Sequence, residues 1–520
     1  MSIRNHRHIS RLLVLSLLVL TIQKLYAQEQ SDNLLSFRQL EIVSPWFISG
    51  NAAGLSQTED VFPAMLGMAF NQTSGDFHDI FSGDTKNSYE FSSQSFRNLG
   101  RTLLYGSFAY HKSFEKELIF SDVNDPSVNY PYLLVDTVGH GTYNREFFGL
   151  NGAISSPVSE RLDWGLSFGL EVGEASQNRD PRPDNKVVKT SISPGLLYKN
   201  NHWTVGTNLR YTYYNEDIDV LVVEEGGQAI MFQLHGPGVY GYHVSGSFAR
   251  LYKQSEFGYG LQAGWSSGNI SNLFFSDVFN SRQTVDDGRK GSIATWSAVK
   301  NDARLEQLHW NLKNVFSVTK DKNIHQLVAG YGLQTYLGTE FIQLLEKVNE
   351  TDVEKWVTYG EEQKYYSLQT KAELNYRLIS KNDQNRMKSL IDAAVKYQFF
   401  REKYYLPDWD QQYANLRLAC SFLKLFQFSR QSLSLEMKAV VQFNLDRNQN
   451  LDNNLLFERI FRPEMDYLTE NYLSPGVSLG YEVPLKKLFG KFFVKADFDW
   501  VRASNGATRT GFGFSTGLMF

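Results

Sequence analysis

The sequence predicts an all-β fold, a transmembrane antiparallel β-barrel of about 16–18 strands with short periplasmic turns and long extracellular loops. Three observations predict it. Apolar and polar residues alternate along many segments, the connections alternate between short and long, and the last residue is aromatic. A period of two residues places neighbouring side chains on opposite faces of a strand. In a membrane barrel, one face contacts lipid and the other faces the lumen.

The chain begins with a predicted secretory signal peptide at residues 1–27. Three arginines form its positive end, Leu12–Leu20 forms its apolar core, and Ala27 precedes the expected cleavage site. This core is much shorter than the ~20 residues that span a bilayer as a helix. We therefore expect cleavage near Ala27, with an uncleaved anchor as the alternative.

The composition is typical of a membrane barrel or of a large secreted β-protein. Aromatic residues make up 14% of the chain, yet the mean hydropathy is −0.36. The formal net charge of −4 becomes −8 when the four cations of the signal peptide are removed, which leaves no electrostatic footprint for nucleic acid. Cys420 is the only cysteine, so the sequence offers no disulfide framework and no cysteine-based metal site.

After the signal peptide we expect an N-terminal segment at residues 28–63 and a barrel domain at residues 64–520. The segment contains the glycine-punctuated apolar patch Trp46–Leu55. It either plugs the barrel from the periplasmic side or simply leads into the first strand. Asn51–Leu55 is similar to the N-terminal Asn-Pro-Ala motif of outer-membrane long-chain fatty-acid transporters, with Ala52 in place of proline, which hints at an apolar ligand.

The two-residue period recurs from Ala64 to the C-terminus. In the run Leu162–Gly173, every even-numbered residue is apolar and every odd-numbered residue is polar, charged or glycine. No helical period fits such runs. The predicted strands are 64–74, 86–96, 100–112, 143–155, 161–175, 187–199, 202–216, 239–252, 255–268, 304–319, 323–337, 363–379, 386–401, 411–424, 432–445, 473–483, 490–502 and 508–520.

The predicted connections are sorted by length. A membrane barrel has short periplasmic turns and long outer loops, and an even number of strands leaves both termini in the periplasm. The short connections are 156–160, 200–201, 253–254, 320–322 and 380–385, and the long ones are 113–142, 217–238, 269–303, 338–362 and 446–472.

The last predicted strand ends with Phe520 on its apolar face, whereas the termini of soluble domains usually fray. This end resembles the closing strand of bacterial outer-membrane barrels, whose terminal aromatic is read by the barrel-insertion machinery. Together with residues 26–28, the patch Trp46–Leu55 and the stretch Arg97–Tyr110, it resembles an uncharacterised outer-membrane β-barrel family of Bacteroidota. The resemblance implies a barrel surrounded by lipid in the bacterial cell outer membrane, and it brings no catalytic residue and no substrate.

Barrel polarity predicts a lumen with charges of both signs. A lining of one sign would indicate ion selectivity. A mixed lining is either a polar conduit or binding wall, or a network of paired charges that fills the interior. The predicted lumen-lining residues are Arg210, His309, Lys313, Lys371, Glu373, Arg377, Lys388, Asp392, Lys396, Arg417, Glu436, Lys438, Lys495, Asp497 and Asp499.

The start of the last long loop is the one candidate for a cofactor, because oxygen-bearing residues at every second position resemble the first half of a calcium loop. Leu451 replaces the glycine of the sharp turn, so a plain polar loop is the alternative. The candidate calcium ligands are Asp446, Asn448, Asn450 and Asp452.

We find no catalytic constellation in the sequence, since no serine lies in a Gly-x-Ser-x-Gly elbow and the histidines have no signature partners. We therefore expect passage of a small solute across the outer membrane, through a porin-like channel or with the help of a transport partner in that membrane. The alternative is a sealed accessory barrel whose external loops bind a ligand or partner. An outer-membrane enzyme is a third hypothesis.

Overall fold

The computed structural model describes residues 40–42, 44–58, 63–136, 141–223, 229–245, 247–288, 296–297, 299–347, 354–383, 386–428, 431–485 and 490–520. The predicted signal peptide and its cleavage site lie outside these residues. Among the helices of the described residues, none combines the length and the apolar character that a membrane crossing requires.

Eighteen antiparallel strands form a closed barrel within the described part of the chain. Each strand pairs with the next wall strand, and the first pairs with the last, from Met65 opposite Met519 to Gly75 opposite Arg509. Closure pairs backbone groups that an open sheet edge would leave unsatisfied in lipid. The wall strands are β1 (Ala64–Gly75), β2 (Thr85–Leu99), β3 (Thr102–Leu118), β5 (Gly141–Pro157), β6 (Leu162–Gln177), β7 (Arg182–Lys199), β8 (Trp203–Leu221), β11 (Ser247–Ser267), β12 (Ile270–Asp287), β14 (Lys300–Lys320), β15 (Asn323–Lys347), β16 (Glu354–Lys381), β17 (Met387–Tyr404), β18 (Trp409–Phe428), β19 (Gln431–Asn450), β20 (Tyr472–Leu485), β21 (Gly490–Ala503) and β22 (Thr508–Met519). The short strands outside the barrel wall are β4 (Leu134–Val135), β9 (Ala229–Gly236), β10 (Val239–Ser245) and β13 (Trp296–Ser297).

The outer face of the barrel is apolar. On β6, Trp164, Phe168 and Leu170 are exposed, whereas Asp163 on the opposite face is 1% exposed. Exposed aromatic and aliphatic side chains recur on the outer face of the other wall strands. An apolar exterior around a polar interior is the arrangement that lipid requires of a barrel. The predicted transmembrane barrel is confirmed.

The upper limit of the predicted strand number, eighteen, is confirmed, but one predicted strand is wrong and one is missed. The prediction breaks β11 at Lys253–Gln254, whereas its pairing with β8 continues through these residues without interruption. The predicted strand 239–252 therefore joins β10, which is not in the wall, to the start of β11. β12 lies in the predicted loop 269–303. Its alternation is weak because Leu273 and Phe275 on the inner face are apolar as well, and they pack near Trp46.

The two ends of the barrel differ. We call the end at which Ala64 and Met519 lie the terminal end, and the opposite end the loop end. Connections of two to four residues at the terminal end are 100–101, 158–161, 200–202, 268–269 and 321–322. Most of the predicted 338–362 loop is strand, because β15 continues to Lys347 and β16 begins at Glu354.

Three segments fold back into the barrel at the loop end, and we call them together the lid: residues 119–136, 229–245 and 451–471. The lid contains helix α1 (Pro126–Asn129), the strands β4, β9 and β10, a π-helical turn (Phe457–Phe461) and helix α2 (Arg462–Thr469). β4 pairs with β9, which joins the first two segments in one small sheet.

The lid and the inner face of the wall share one hydrophobic core. This core includes Tyr132, Leu134, Met231, Phe232, Ile460 and Phe461 from the lid and Ile218, Tyr252, Leu305 and Tyr365 from the wall. Burial of a large apolar side chain stabilises by about 1.5–3 kcal/mol. The lid is therefore a packed part of the fold.

Residues 44–58, which we call the inner segment, lie inside the barrel near the terminal end. They form two 3-10 helices, Pro45–Ile48 and Ala52–Gln57. The wall opposite them is lined with glycine, because a Cβ at Gly165 would overlap the backbone of Ala53 and a Cβ at Gly195 would overlap the side chain of Asn51.

Asn51 connects the inner segment to three wall strands. Its Oδ1 accepts a hydrogen bond from the Ala53 amide (3.0 Å), which caps the second 3-10 helix. Its Nδ2 donates to the carbonyls of Leu196 (3.1 Å) and Thr207 (3.2 Å) and to Gln262 Oε1 (2.9 Å). That this segment blocks passage of a solute stays a prediction.

Candidate functional site

A cavity of about 620 Å³, which we call the chamber, lies in the lumen between the inner segment and the lid. The inner segment contributes Phe47, Asn51 and Leu55 to its lining, and the lid contributes Asn124 and Val128. Most of the remaining lining comes from the wall strands β3, β5 to β8, β11, β14 and β15. Ligand pockets commonly have volumes of about 300–1,000 Å³, so the chamber is large enough for a small solute.

Five charged side chains line the chamber: Asp125 of the lid, and Glu171, Lys189, Arg210 and Glu256 of the wall. Among the described residues, neither Lys189 nor Arg210 has an ion pair within 4 Å or a hydrogen bond from its charged group. Glu171 stands directly opposite Lys189 on the neighbouring strand, yet the two charges do not close into an ion pair. The chamber therefore presents two cations whose donors are left for solvent or a solute, beside the carboxylates of Glu171 and Glu256.

The guanidinium of Arg210 has a fixed orientation. It lies over the ring of Phe279, 5.1 Å from the centroid. Gly258 makes room for this ring, since a Cβ there would contact Phe279 at 2.5 Å. Stacking on an aromatic face occupies the flat side of the guanidinium and leaves its N–H edge free. The remaining donors of Arg210 can therefore bind a group in the chamber.

Many of the predicted lumen-lining residues are paired with each other. Arg377 donates to Asp392 (2.7 Å), and Arg417 donates to Gln442 (2.8 Å). Three further ion pairs are Lys396–Glu373 (3.3 Å), Lys438–Asp499 (2.8 Å) and Lys495–Asp497 (2.7 Å). This part of the lumen has the character of a network of paired charges, in contrast to the chamber.

The other predicted lumen residues are distributed over several wall strands. His309 lines the chamber and contacts the ring of Tyr336 edge-on. Lys313 and Lys371 are on β14 and β16, and Lys388 borders a small cavity near the terminal end. Glu436 on β19 is 7% exposed. That the fifteen predicted residues line a route for a solute stays a prediction.

The candidate calcium ligands are placed differently from the expectation of a loop. Asp446, Asn448 and Asn450 belong to β19, and only Asp452 follows the strand. Alternate residues of a strand are about 7 Å apart, whereas calcium ligands lie about 2.3–2.6 Å from one ion. The loop expected at 446–450 is therefore wrong, and this part of the chain is an extended polar strand. Calcium binding itself stays a prediction.

Arg250 on β11 is the main ionic anchor of the lid and is 0% exposed. It donates to both oxygens of Asp287 (2.7 and 3.0 Å) and to Asp302 (2.7 Å). It also donates to the lid carbonyl of Tyr132 (3.4 Å), and Gln233 of the lid donates to Asp287 (2.6 Å). One buried cation thus holds two segments of the lid to the wall.

Two buried wall carboxylates hold the first lid segment from other sides. Glu216 accepts hydrogen bonds from the Asn124 amide (2.6 Å) and from Asn129 Nδ2 (2.5 Å). Glu402 accepts one from the Tyr130 hydroxyl (2.7 Å). Both glutamates are 0% exposed. Buried carboxylates are costly unless donors satisfy them, so the lid and these glutamates depend on each other.

His235 in β9 forms a further anchor. Its ring nitrogens lie 3.3 Å from Asp302 and 3.2 Å from Glu340. Burial alone would lower the pKa of His235, but the carboxylates of Asp302 and Glu340 outweigh it and raise the pKa to about 10. The imidazole is therefore charged at neutral pH and adds a cation between two wall strands and the lid.

Glu464 in α2 joins the lid to the connection between β1 and β2. Its Oε2 accepts a hydrogen bond from the Ile80 amide (2.9 Å). Burial raises the pKa of the Glu464 carboxyl to about 7 from its ordinary value of 4.5. This contact is therefore sensitive to pH near neutrality.

The lid anchors are functional candidates that sequence reasoning missed. Glu216 and Glu402 stand at inward positions of their strands, a signal that the two-residue period contains. The sequence did not reveal the inward position of Arg250, because the predicted strand 239–252 combines β10 with the start of β11. The lid partners of all three lie in loop segments, for which periodicity gives no signal.

Comparisons with known proteins complete the description of the site. Residues 52–520 match a family described as "Family of unknown function (DUF6850)". The comparison with curated proteins gave no match.

Similar solved structures include the copper transporter OprC, with 10% identity, a TM-score of 0.40, and coverage of 88% of this chain and 80% of that one. They also include the outer membrane transporter YddB from Escherichia coli (7%, TM-score 0.40, 88% and 81%) and the RagAB peptide transporter (7%, TM-score 0.41, 85% and 72%).

Proposed function

The chain belongs to DUF6850, a family of unknown function, and from this premise we propose that it is an outer-membrane barrel that admits a small polar solute, with the lid as its gate. The observation that carries the proposal is the chamber, in which unpaired charges of both signs lie between the lid and the inner segment. A wall that serves only as packing would pair such charges, as the other side of the lumen does.

The orientation in the membrane follows from the two ends of the barrel. The apolar outer face supports contact with lipid. Both ends of the barrel domain lie at the terminal end, which we assign to the periplasm, and the lid then faces the outside. Signal-peptide cleavage near Ala27, an origin in Bacteroidota and recognition of Phe520 by the insertion machinery belong to the same proposal.

A partner or an incoming ligand has to displace the lid. Thermal opening would expose the shared core and leave Arg250, Glu216 and Glu402 without their lid contacts. A binding event can shift such an equilibrium only by its preference for the open state. We therefore propose a transport partner that binds the open lid from outside. The route then leads past the chamber, whose wall carries charges of both signs. The apolar ligand that Asn51–Leu55 suggests stays a prediction.

The continuous core between lid and wall favours a second candidate, a sealed accessory barrel. In that case the barrel is a rigid support, and the outer surface of the lid docks a ligand or partner. The two candidates differ in one measurable property, which is whether loosening the lid opens a path for ions.

The test is single-channel conductance of the refolded barrel in a planar bilayer. We expect rare openings of the wild type and frequent openings of Arg250→Met, which removes the main anchor of the lid. Arg101→Met removes an exposed cation from a turn at the terminal end and is the charge-matched control, with wild-type behaviour. If the Arg250→Met barrel is folded and its lid is loosened, but it shows no conductance, the proposed gate is refuted and the sealed barrel is favoured.

A further inference from the structure

The unpaired charges of the chamber surround a pair of hydroxyl groups. Ser191 on β7 and Thr212 on β8 stand directly opposite each other. Lys189 and Arg210 lie two residues from this pair along their strands, in opposite directions and on the same face. Two residues of strand correspond to about 7 Å, so both long side chains can reach a group bound at the hydroxyls.

Carboxylates border the same position. Glu256 stands directly opposite Thr212 on β11, and Glu171 stands opposite Lys189 on β6. Two cations and two anions thus alternate around Ser191 and Thr212. A solute with a single charge is attracted by one pair and repelled by the other, whereas a solute with both charges can satisfy both.

The positions of the cations are set before a solute arrives. Phe279 holds the guanidinium of Arg210, and Gly258 leaves space for the Phe279 ring. Gly50 of the inner segment lies close to the same guanidinium, since a Cβ there would be 3.1 Å from Arg210 Nη2. A preorganised donor loses less entropy on binding, so this corner of the chamber has the features of a binding subsite.

We propose that the chamber binds a small zwitterion, such as a short peptide, whose carboxylate lies between Lys189 and Arg210 and whose ammonium group lies at Glu256. The volume of about 620 Å³ accommodates a solute of this size. The inference rests on the proposed passage of a polar solute and names its chemical class. Binding and passage are separate measurements, so each idea can fail without the other.

Three matched probes test the charge pattern by calorimetry with the refolded full-length barrel. Trialanine carries both charges, N-acetyl-trialanine carries only the anion, and trialanine amide carries only the cation. The measurement uses the wild type and the Arg250→Met variant, so that a closed lid does not prevent access. We expect trialanine to bind about tenfold or more tightly than either singly charged probe.

Two variants give opposite signatures. Arg210→Gln should weaken trialanine and N-acetyl-trialanine by about tenfold and leave trialanine amide unchanged. Glu256→Gln should weaken trialanine and the amide and leave the acetylated probe unchanged. Arg101→Gln, with the same loss of charge outside the lumen, should leave all three affinities unchanged.

A merely structural effect of Arg210→Gln would weaken the three probes alike. Equal affinities for the probes, equal effects of Arg210→Gln on all three, or no binding in both lid states would overturn the inference. Conductance of Arg250→Met without zwitterion binding would leave the proposed passage standing and reject only this solute class.

Discussion

The Arg250 anchor allows a quantitative prediction of how firmly the lid is closed. Arg250→Met keeps the approximate length of the side chain and removes its charge. The buried carboxylates of Asp287 and Asp302 then lose their common cation, and the lid carbonyl of Tyr132 loses one donor. The closed lid becomes less stable, because an open lid gives water access to these groups.

The size of the effect follows from the remaining contacts. Removal of one partner from a buried ion pair costs about 3–5 kcal/mol, since the other charge stays buried. Asp287 retains the hydrogen bond from Gln233, and Asp302 retains His235. We therefore expect the lower part of this range, about 3 kcal/mol, which raises the population of the open lid by about 100-fold.

Hydrogen exchange of two lid amides measures this population. The Leu234 amide donates to the Leu133 carbonyl (2.8 Å), and the Asp122 amide donates to the Leu134 carbonyl (3.1 Å). Both bonds lie within the lid, so both amides exchange when the lid leaves the wall and loses the shared core that holds its fold. In Arg250→Met they should exchange about 100-fold faster.

Arg447→Met is the matched control for the lid anchor. Arg447 also links a wall strand to the lid, through Asp466, but the two side chains are 38% and 53% exposed. An exposed pair contributes at most about 1 kcal/mol, so the two amides should change by less than about fivefold. Equal exchange rates in Arg250→Met and Arg447→Met would refute the anchoring role of the buried network.

Two further predictions concern the inner segment and Glu464. Gly195→Ala should displace Asn51 and destabilise the inner segment by about 1–3 kcal/mol. We expect faster proteolysis of residues 44–58 as a result. In the control Gly106→Ala, the new Cβ meets nothing within 4 Å and should have no effect, so equal proteolysis of the two variants would contradict the packing. The folded lid keeps the proton of Glu464 up to pH about 7, whereas the unfolded chain releases it near 4.5, so lid stability should fall by about 3 kcal/mol as the pH rises through this window. The assay is hydrogen exchange of the Ile80 amide as a function of pH, and Glu464→Gln should remove its pH dependence. Parallel pH profiles of the variant and the wild type would show that another group titrates.

The barrel wall was predictable because its physical cause is local. Lipid outside and a polar lumen inside impose a two-residue period on each strand, as in Leu162–Gly173. The two-residue period is weak at β12, because its inner face carries the apolar residues Leu273 and Phe275. These residues pack against Trp46 of the inner segment. A binary pattern can reveal only one buried face, and this strand has apolar residues on both.

The chamber and the lid were not predictable in the same way. Lys189 and Arg210 have the same inward positions as paired lumen residues such as Arg377, and only three-dimensional contacts separate them. Except for residues 239–245, the lid lies in connections to which the two-residue period assigns no strand. The wall partners of the lid are distant in sequence: Arg250 and Tyr132, for example, are more than 100 residues apart. A single sequence gives no sign of such pairs.

We propose that both the lid and the inner segment close the lumen, and their different attachment to the wall decides which one limits exchange with the chamber. Asn51 holds the inner segment through three side-chain hydrogen bonds to the wall, each with a net contribution of about 1 kcal/mol. Leu55 and Trp46 add contacts to two small apolar clusters of the wall, which are much smaller than the core shared with the lid. The lid is held by a shared apolar core and by Arg250, whose ionic anchor alone is comparable in size to the three bonds of Asn51. Exchange between the chamber and the terminal end should therefore be faster than exchange through the lid, and a partner that accelerates passage has to act on the lid.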